Sequence, residues 1–225
     1  VMLAALNTKG KTIIKAKKSR NHTELLYKYL KLPIKIINNK SYDSIIIEGE
    51  KKIKSLNYNI PSDISSSAFF IVLTILSKDS KIVIKNVNIN PTRTGILKIL
   101  KLMGIDIKIR NIRNYRGEKV GDLFVQSSKF LKPINCPTKL NSAAIDEFLL
   151  IFICAARANG ISHFKKLSEL NQKESPRLIW GSKILNKMGI KTVLTSDSIK
   201  IYGNPNIKIK KNILIKKFLK DHRVF

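Results

Sequence analysis

Residues 90–105 read Asn-Pro-Thr-Arg-Thr-Gly-Ile-Leu-Lys-Ile-Leu-Lys-Leu-Met-Gly-Ile, and this stretch decides the fold. Its apolar residues follow the spacing of one helix face, and a glycine directly after the last periodic residue is typical of a helix C-terminus. The stretch therefore predicts a helix that opens just after Arg93 and ends before Gly104.

Comparable endings occur at two other points of the chain. Residues 187–190 read Lys-Met-Gly-Ile, and residues 30–34 read Leu-Lys-Leu-Pro-Ile, in which the proline cannot continue a helix. Around each ending the pattern indicates the order helix, strand, helix, strand, strand. We expect a partial copy of this unit up to residue 48, a second over 61–126 and a third over 141–202. The predicted fold class is therefore α/β (α+β), built from a repeated unit.

The second helix of each copy opens on charged and small residues that include an arginine. The openings are Ser19–Glu24, Asn90–Gly95 and Lys173–Arg177. N–H groups in a first turn lack intrahelical partners and the helix dipole is positive there, so an added guanidinium makes a candidate seat for phosphate or carboxylate. The alternative is ordinary capping, with Ser175 as the N-cap and Pro176 at the first helical position. Arginines at equivalent points of all copies favour the anion site.

A formal net charge of +28 is typical of proteins that bind nucleic acid by releasing counterions. The composition favours another explanation. The chain has 35 Lys against 8 Arg, together with 36 Ile and 19 Asn, as expected when coding DNA is rich in A and T. It also has no basic-aromatic motif of the kind that stacks bases. We expect no specific nucleic-acid partner, although the charge should attract small anionic substrates.

The cysteines and the apolar runs indicate a reducing cytoplasm. Cys136 and Cys154 have no nearby histidine, so neither a metal site nor a disulfide framework is predicted. No signal peptide is visible, and the strongest apolar run, residues 148–156, is too short to span a bilayer and predicts a buried helix. The chain begins inside an apparent helix, so we expect it to be a piece of something longer.

A boundary between two lobes is predicted near residue 60. Lys51–Asn59 is polar and rich in lysine, and the Pro-Ser-Asp that follows at 61–63 signals a helix start after an extended crossing.

Several strings, in this order along the chain, resemble the family of 5-enolpyruvylshikimate-3-phosphate synthases, or 3-phosphoshikimate 1-carboxyvinyltransferases. Family members carry Ser-Arg-Asp-His-Thr-Glu, which stands here at 19–24 with Asn21 for Asp. They carry Asn-Pro-Thr-Arg-Thr-Gly-Ile-Leu, which stands unchanged at 90–97. The other matching strings are Pro61–Phe69, Gly117–Leu123, Ile145–Glu147 and Asp221–Arg223.

The resemblance implies a fold of two lobes, each made of three βαβαββ units, of which this chain would hold about three of the six. Residues 1–60 would be the last repeat of the lobe that binds shikimate phosphate, and residues 61–225 most of the second, phosphoenolpyruvate-side lobe. The implied reaction moves the enolpyruvyl group of phosphoenolpyruvate to the 5-hydroxyl of shikimate 3-phosphate and releases phosphate, by addition and then elimination. It implies a monomer with these two substrates as partners, no membrane, no metal and no organic cofactor.

Roles for individual residues also follow from the resemblance. The implied set is, for catalysis, Asp146, Lys173 and Glu174; for shikimate 3-phosphate, Ser19, Arg20, Asp146 and Lys173; and for phosphoenolpyruvate, Arg177, His222 and Arg223. Each has a plainer alternative: Arg20 can pair with Glu24 one turn on, Asp146 can complement a helix dipole, and the adjacent Lys173 and Glu174 can form a solvated pair.

The chain departs from the family pattern at several points. Pro176 stands for aspartate, Asn171 and Gln172 stand for Arg-Val, and Lys220 stands for the glycine before Asp221, where we expect it to crowd the phosphate side. The family's N-terminal Lys-Ser motif, a further phosphoenolpyruvate arginine, a Ser-Ala-Gln segment and a C-terminal lysine lie outside residues 1–225. We therefore expect this chain alone not to turn over.

The sequence leaves three alternatives to an active shikimate enzyme. The related transferase that acts on UDP-N-acetylglucosamine shares the fold, but it uses a loop cysteine and lacks the intact 90–97 string. An inactive or incomplete fragment of the shikimate enzyme would carry the same strings without turnover. A basic module that binds nucleic acid would account for the charge alone.

Overall fold

The computed structural model describes residues 1–49, 53, 55–207 and 221–224. Within them the predicted order of helix, strand, helix, strand, strand occurs three times. The first unit consists of α1 Met2–Leu6, β1 Lys11–Lys17, α2 His22–Tyr29, β2 Ile34–Asn38 and β3 Tyr42–Glu48. The second consists of α3 Ile64–Leu76, β4 Lys81–Asn88, α4 Gly95–Leu102, β5 Lys108–Tyr115 and β6 Glu118–Gln126. The third consists of α5 Phe148–Ala156, β7 Gly160–Phe164, α6 Arg177–Lys187, β8 Thr192–Leu194 and β9 Ile199–Gly203.

Each unit forms a three-stranded antiparallel sheet whose last strand lies in the middle. The orders are β1-β3-β2, β4-β6-β5 and β7-β9-β8. In the second and third units, one residue ahead of the first helix adds a parallel bridge, Ser62 to Val87 and Asn135 to His163. Because this bridge stands where a leading strand would pair, these two units have the predicted βαβαββ order with the leading strand reduced to one residue.

The ends of the three second helices share one geometry. The N–H groups of Leu32, Ile105 and Ile190 each donate back to a carbonyl five residues earlier, at 2.9, 3.0 and 2.9 Å. Gly104 and Gly189, directly before two of these residues, both have a φ of +89°, so the predicted glycine stops are confirmed. In the first unit Lys31 takes this position with a φ of +54°, a left-handed conformation that the sequence pattern does not reveal.

The buried helix predicted over residues 148–156 is α5, with the same bounds. Its Phe148 and Phe152 pack against Phe164 of β7, with ring centroids 6.0 and 5.2 Å apart. The segment ahead of it consists of short 3₁₀ turns, Thr138–Leu140 and Ser142–Ala144. In the part of the chain that the structure describes, no helix combines the length and apolar character that crossing a bilayer requires.

The described residues form two separate hydrophobic cores. The larger one runs through the second and third units, and α3 and α5 pack against each other inside it. The smaller one belongs to the first unit and is built around Leu6, Tyr27 and Ile47. Polar pairs such as Arg20 with Asp146 and Asn21 with Asn90 connect the first unit to the rest, and the candidate site lies among them.

Candidate active site

The candidate site is centred on Asp146, which lies between a 3₁₀ turn and the start of α5. Its side chain is 13% exposed and is approached by three cations. Arg20 forms an ion pair with Oδ2, while Lys173 Nζ and Arg177 Nη1 lie 3.5 and 3.4 Å from Oδ1. Arg20 comes from the first unit and the other two from the third, so residues far apart in the sequence meet at one carboxylate.

This ring of cations decides the ionisation of Asp146. Burial by itself raises the pKa of the carboxyl, but the hydrogen bond and charge of Arg20, with the charges of Lys173 and Arg223, lower it to about 2. Asp146 is therefore an ionised carboxylate throughout the neutral range. The alternative pairing of Arg20 with Glu24 is wrong, since the Arg20 guanidinium reaches Asp146 instead.

Arg177 is the first residue of α6 and is 2% exposed. Its Nε and Nη2 donate to the two oxygens of Asp221 at 2.9 and 3.2 Å, a bidentate arrangement, and Nη2 also forms an ion pair with Glu174. Asp221 is 1% exposed and also accepts from Ser175 Oγ at 2.7 Å. Burial opposes ionisation of Asp221, but the hydrogen bonds from Arg177 and Ser175 outweigh it and lower its pKa.

Capping by Ser175 is therefore not what opens α6. Pro176 occupies the N-cap position, one residue later than the capping alternative requires, and the Ser175 hydroxyl donates to Asp221. The carboxylate of Asp221 is what fixes the fork of Arg177, whereas the sequence indicates Asp221 only as part of a matching string.

Lys173 and Glu174 are neighbours in sequence, but their charged groups have different partners. Lys173 Nζ lies near Asp146 and 3.9 Å from Glu169, whereas Glu174 pairs with Arg177. The side chain of Lys173 is 26% exposed and that of Glu174 is 56% exposed. Both can therefore meet a molecule that enters from solvent.

The remaining predicted residues lie at the edge of this cluster. Arg223 Nη1 donates to the main-chain oxygen of Asp146 at 3.3 Å, and its own N–H donates to Asp221. His222 and Ser19 are exposed, each next to an arginine of the cluster. Lys220 lies outside the described residues.

A second polar group lies where the first and second units meet, and sequence reasoning did not find it. His22 pairs with Glu118, and Asn90 Nδ2 donates to Asn21 Oδ1 at 2.8 Å. All of these residues belong to strings that match the family pattern, and that match was the one feature of the sequence that could have indicated them.

The remaining helix-opening arginine, Arg93, contacts residues of its own unit, the second, rather than Asp146. Its Nη2 donates to Asp63 and to Ser65 Oγ at 2.9 and 2.8 Å. The Ser65 hydroxyl in turn donates to Glu147, a buried carboxyl whose pKa burial raises. Arg93 is thus linked to the residue after Asp146 without touching Asp146 itself.

An open cavity of about 450 Å³ adjoins the second polar group rather than Asp146. Its lining includes Leu26, Tyr58, Ile64, Arg93 and Glu118. Asp146, Lys173 and Arg177 are not among its lining residues, so this cavity is not centred on the charged cluster. No group of His, Cys, Asp and Glu suited to a metal ion occurs within the described ranges.

The repeated unit is the fold of an enolpyruvyl transferase of known structure. The crystal structure of the enolpyruvyl transferase NikO from Streptomyces tendae has this fold, with a TM-score of 0.66 at 15% identity over 90% of this chain and 45% of that one. At this identity the likeness is one of fold alone.

The sequence comparisons identify the family within that class. A model of the EPSP synthase (3-phosphoshikimate 1-carboxyvinyltransferase) family matches residues 1–224, and the chain belongs to this family. The 3-phosphoshikimate 1-carboxyvinyltransferase of Petrotoga mobilis is 39% identical over 100% of this chain and 50% of its own length. That of Ruthia magnifica is 39% identical over the same shares.

Solved structures of the family agree. The 2.37 Å structure of EPSP synthase from Acinetobacter baumannii has a TM-score of 0.79 and 36% identity, over 90% of this chain and 45% of that chain. The chain thus spans about half the length of the relatives it matches.

Proposed function

We propose that this chain carries a large part of the active site of a 3-phosphoshikimate 1-carboxyvinyltransferase. In the proposed reaction, the enolpyruvyl group of phosphoenolpyruvate moves to the 5-hydroxyl of shikimate 3-phosphate and inorganic phosphate leaves. The observation that carries the proposal is the carboxylate of Asp146 within reach of Arg20, Lys173 and Arg177. Membership of the family supports the same reaction.

The phosphate of shikimate 3-phosphate is assigned to Arg20 and Ser19. The Arg20 side chain is 40% exposed, so an anion can approach it from solvent. Its planar fork matches two phosphate oxygens, which a lysine cannot do. Because the phosphate and Asp146 both suit this guanidinium, substrate would take the place that Asp146 occupies in the free protein.

Asp146 is assigned as the base that takes the proton of the 5-hydroxyl, and Lys173 holds that hydroxyl beside it. The hydroxyl oxygen bonds to C2 of phosphoenolpyruvate while its proton passes to the carboxylate, and the methylene carbon takes a proton to give a tetrahedral adduct. Loss of a proton from that carbon then expels phosphate and restores the double bond. Glu174, which is exposed next to Lys173, is assigned to proton transfer.

Arg177, His222 and Arg223 are assigned to phosphoenolpyruvate. One edge of the Arg177 guanidinium is held by Asp221, whose buried carboxylate keeps the fork oriented. Its other partners are Asp146 and the exposed Glu174, and an anionic substrate would take the place of the Glu174 carboxylate. Arg223 lies close by, since Asp221 also accepts from its main-chain N–H.

The organisation proposed for the whole enzyme follows the family. Residues 1–60 are assigned to the last repeat of the shikimate-phosphate lobe and residues 61–225 to most of the other lobe, which the two separate hydrophobic cores support. We further propose a cytoplasmic monomer with no organic cofactor and no specific nucleic-acid partner.

Calorimetric titration tests the substrate class. Shikimate 3-phosphate should bind the chain with one site, shikimate should bind at least about tenfold more weakly because it lacks the charged hydrogen bonds, and UDP-N-acetylglucosamine should give no heat. The site assignment further requires that Arg20→Ala weaken shikimate 3-phosphate binding. Binding of the nucleotide sugar in preference to shikimate 3-phosphate would overturn the proposal in favour of the related transferase.

A further inference from the structure

Two residues directly after Arg20 are held by the second unit. The Asn21 side-chain oxygen accepts from Asn90 Nδ2 at 2.8 Å, and His22 Nδ1 is hydrogen-bonded to Glu118 Oε1. Asn90 Nδ2 also donates to Glu118 Oε2 at 3.1 Å, so one carboxylate connects both contacts. The start of α2 is thus fixed against β6 by a small polar cluster of Asn21, His22, Asn90 and Glu118.

Burial makes the hydrogen bonds of this cluster hard to replace. Asn90 is 2% exposed and Glu118 is 5% exposed, so neither can exchange its partner for water at low cost. The turn before Glu118 also touches α2, because a Cβ added at Gly117 would lie 2.9 Å from the Leu25 carbonyl oxygen. The carboxylate is therefore presented by a turn that is already seated on the helix.

Arg20 lies directly before this contact in the sequence. It belongs to the first unit, whose hydrophobic core is separate from the larger one, whereas its partner Asp146 belongs to the third unit. A separate core leaves the two units free to shift relative to each other unless polar contacts fix them. The polar cluster lies one and two residues beyond Arg20 and fixes that part of the chain.

We propose that Glu118 is a positioning residue that holds the start of α2 so that Arg20 faces the phosphate of the substrate. The inference rests on the proposed function, in which Arg20 binds that phosphate. In this role Glu118 acts through His22 and Asn21 rather than by contact with the substrate. The plain alternative is that Glu118 only stabilises the fold.

A double-mutant cycle separates these two roles. Shikimate 3-phosphate is titrated by calorimetry into the wild-type chain, Arg20→Ala, Glu118→Gln and the double variant. Glu118→Gln keeps the size of the side chain but replaces one accepting oxygen with an N–H₂ group, which must then face either Asn90 or His22 where a carboxylate oxygen stood. Arg20→Ala should weaken binding by about tenfold or more and Glu118→Gln by about fivefold.

The decisive quantity is the coupling between the two changes. If Glu118 acts through Arg20, the double variant binds no more weakly than Arg20→Ala alone. His22 is more exposed than Glu118, so His22→Ala removes the same hydrogen bond with less risk to folding. If Glu118→Gln fails to fold, His22→Ala replaces it in the cycle and should couple with Arg20→Ala in the same way. Asp122→Asn is the matched control on the same strand, since Asp122 accepts from Asn86 and Asn111 instead.

The remaining outcomes are distinct. Fully additive losses, or unchanged affinity in Glu118→Gln and His22→Ala, would overturn the positioning role while leaving the substrate assignment in place. Unchanged affinity in Arg20→Ala would overturn the phosphate assignment itself, and the positioning role with it.

Discussion

Arg20 and Asp146 are 126 residues apart in the sequence, and their side chains form an ion pair across the junction of the first and third units. In the proposed reaction these same groups have different tasks, one on the phosphate and one on the hydroxyl proton. A carboxyl with a pKa of about 2 is a weak base, so the ion pair restrains Asp146 in the free protein. Substrate phosphate, by taking over Arg20, would raise that pKa and release the base where it is needed.

This relationship predicts that Asp146 competes with external anions for Arg20. Replacing Asp146 by Asn removes the competing charge while keeping the shape of the side chain. We expect Asp146→Asn to bind inorganic phosphate roughly fivefold more tightly than the wild type, since a half-exposed ion pair contributes about 1 kcal/mol.

The Arg20→Ala background provides the control for this prediction. In that background Asp146→Asn should no longer tighten phosphate binding. Calorimetry at fixed ionic strength measures both effects, and weaker phosphate binding by Asp146→Asn in the presence of Arg20 would show that the two groups do not compete.

Stability should fall in acid for the same reason. The pKa of Asp146 is lowered from 3.8 to about 2 in the folded chain, so its ionised form stabilises the fold above pH 4 and this contribution is lost as pH falls toward 2. The lost contribution is roughly 2 kcal/mol, because one pKa unit corresponds to about 1.4 kcal/mol. Asp221, whose pKa is also lowered, adds to the loss in the same direction.

Denaturant unfolding between pH 5 and pH 2 checks this prediction. The free energy of unfolding of Asp146→Asn should depend less steeply on pH than that of the wild type. Identical slopes for the two chains would mean that the ion pairs of Asp146 do not stabilise the fold.

Both thiols should be unreactive in the folded chain. Cys136 is 7% exposed and Cys154 is fully buried, and burial raises their pKa values to about 11 and about 12. Since the thiolate is the reactive form, a disulfide reagent at pH 8 should label neither cysteine until denaturant is added. Rapid labelling of either one in the native protein would point back to a cysteine-bearing catalytic loop.

Gly95 offers a test of how α4 supports the site. A Cβ at this position would lie 2.6 Å from the main-chain carbon of Ala143, in the segment that leads to Asp146. Gly95→Ala should therefore cost about 1–3 kcal/mol of stability and weaken shikimate 3-phosphate binding. Lys98→Ala, an exposed site on the same helix, is the control, and a Gly95→Ala chain with unchanged melting temperature and affinity would contradict the close packing.

Local signals in the sequence predicted much of this architecture. Gly104 and Gly189 marked helix ends because few other residues adopt a positive φ, and the apolar run at 148–156 gave the bounds of α5. Lys31 takes the same left-handed position in the first unit, and nothing in its residue type indicates it. Local chemistry thus predicts helix ends well where glycine supplies them.

The partners of the charged residues were harder to predict. The helix-opening pattern singled out Arg20 and Arg177, but the carboxylates that orient them are Asp146 and Asp221, which lie far away in the sequence. Periodicity reports which face of an element is buried, and it carries no information on which distant carboxylate meets a given guanidinium. The same reason explains why the link between His22 and Glu118 was missed.

The rate of phosphate release after a change at Lys173, whose Nζ lies 3.5 Å from the Asp146 carboxylate, tests the proposed active site most directly. The assay uses this chain mixed with the half of the Petrotoga mobilis relative that it does not match, and it starts from a wild-type mixture that releases phosphate. With both substrates present, Lys173→Met should lower the rate by at least about 100-fold, as expected for a group that holds the reacting hydroxyl in place, while the melting temperature of the variant stays unchanged. The control is Lys183→Met, an exposed lysine over the Trp180 ring, which should keep the wild-type rate. A Lys173→Met preparation that releases phosphate at the wild-type rate would contradict the active site proposed around Asp146 and Lys173.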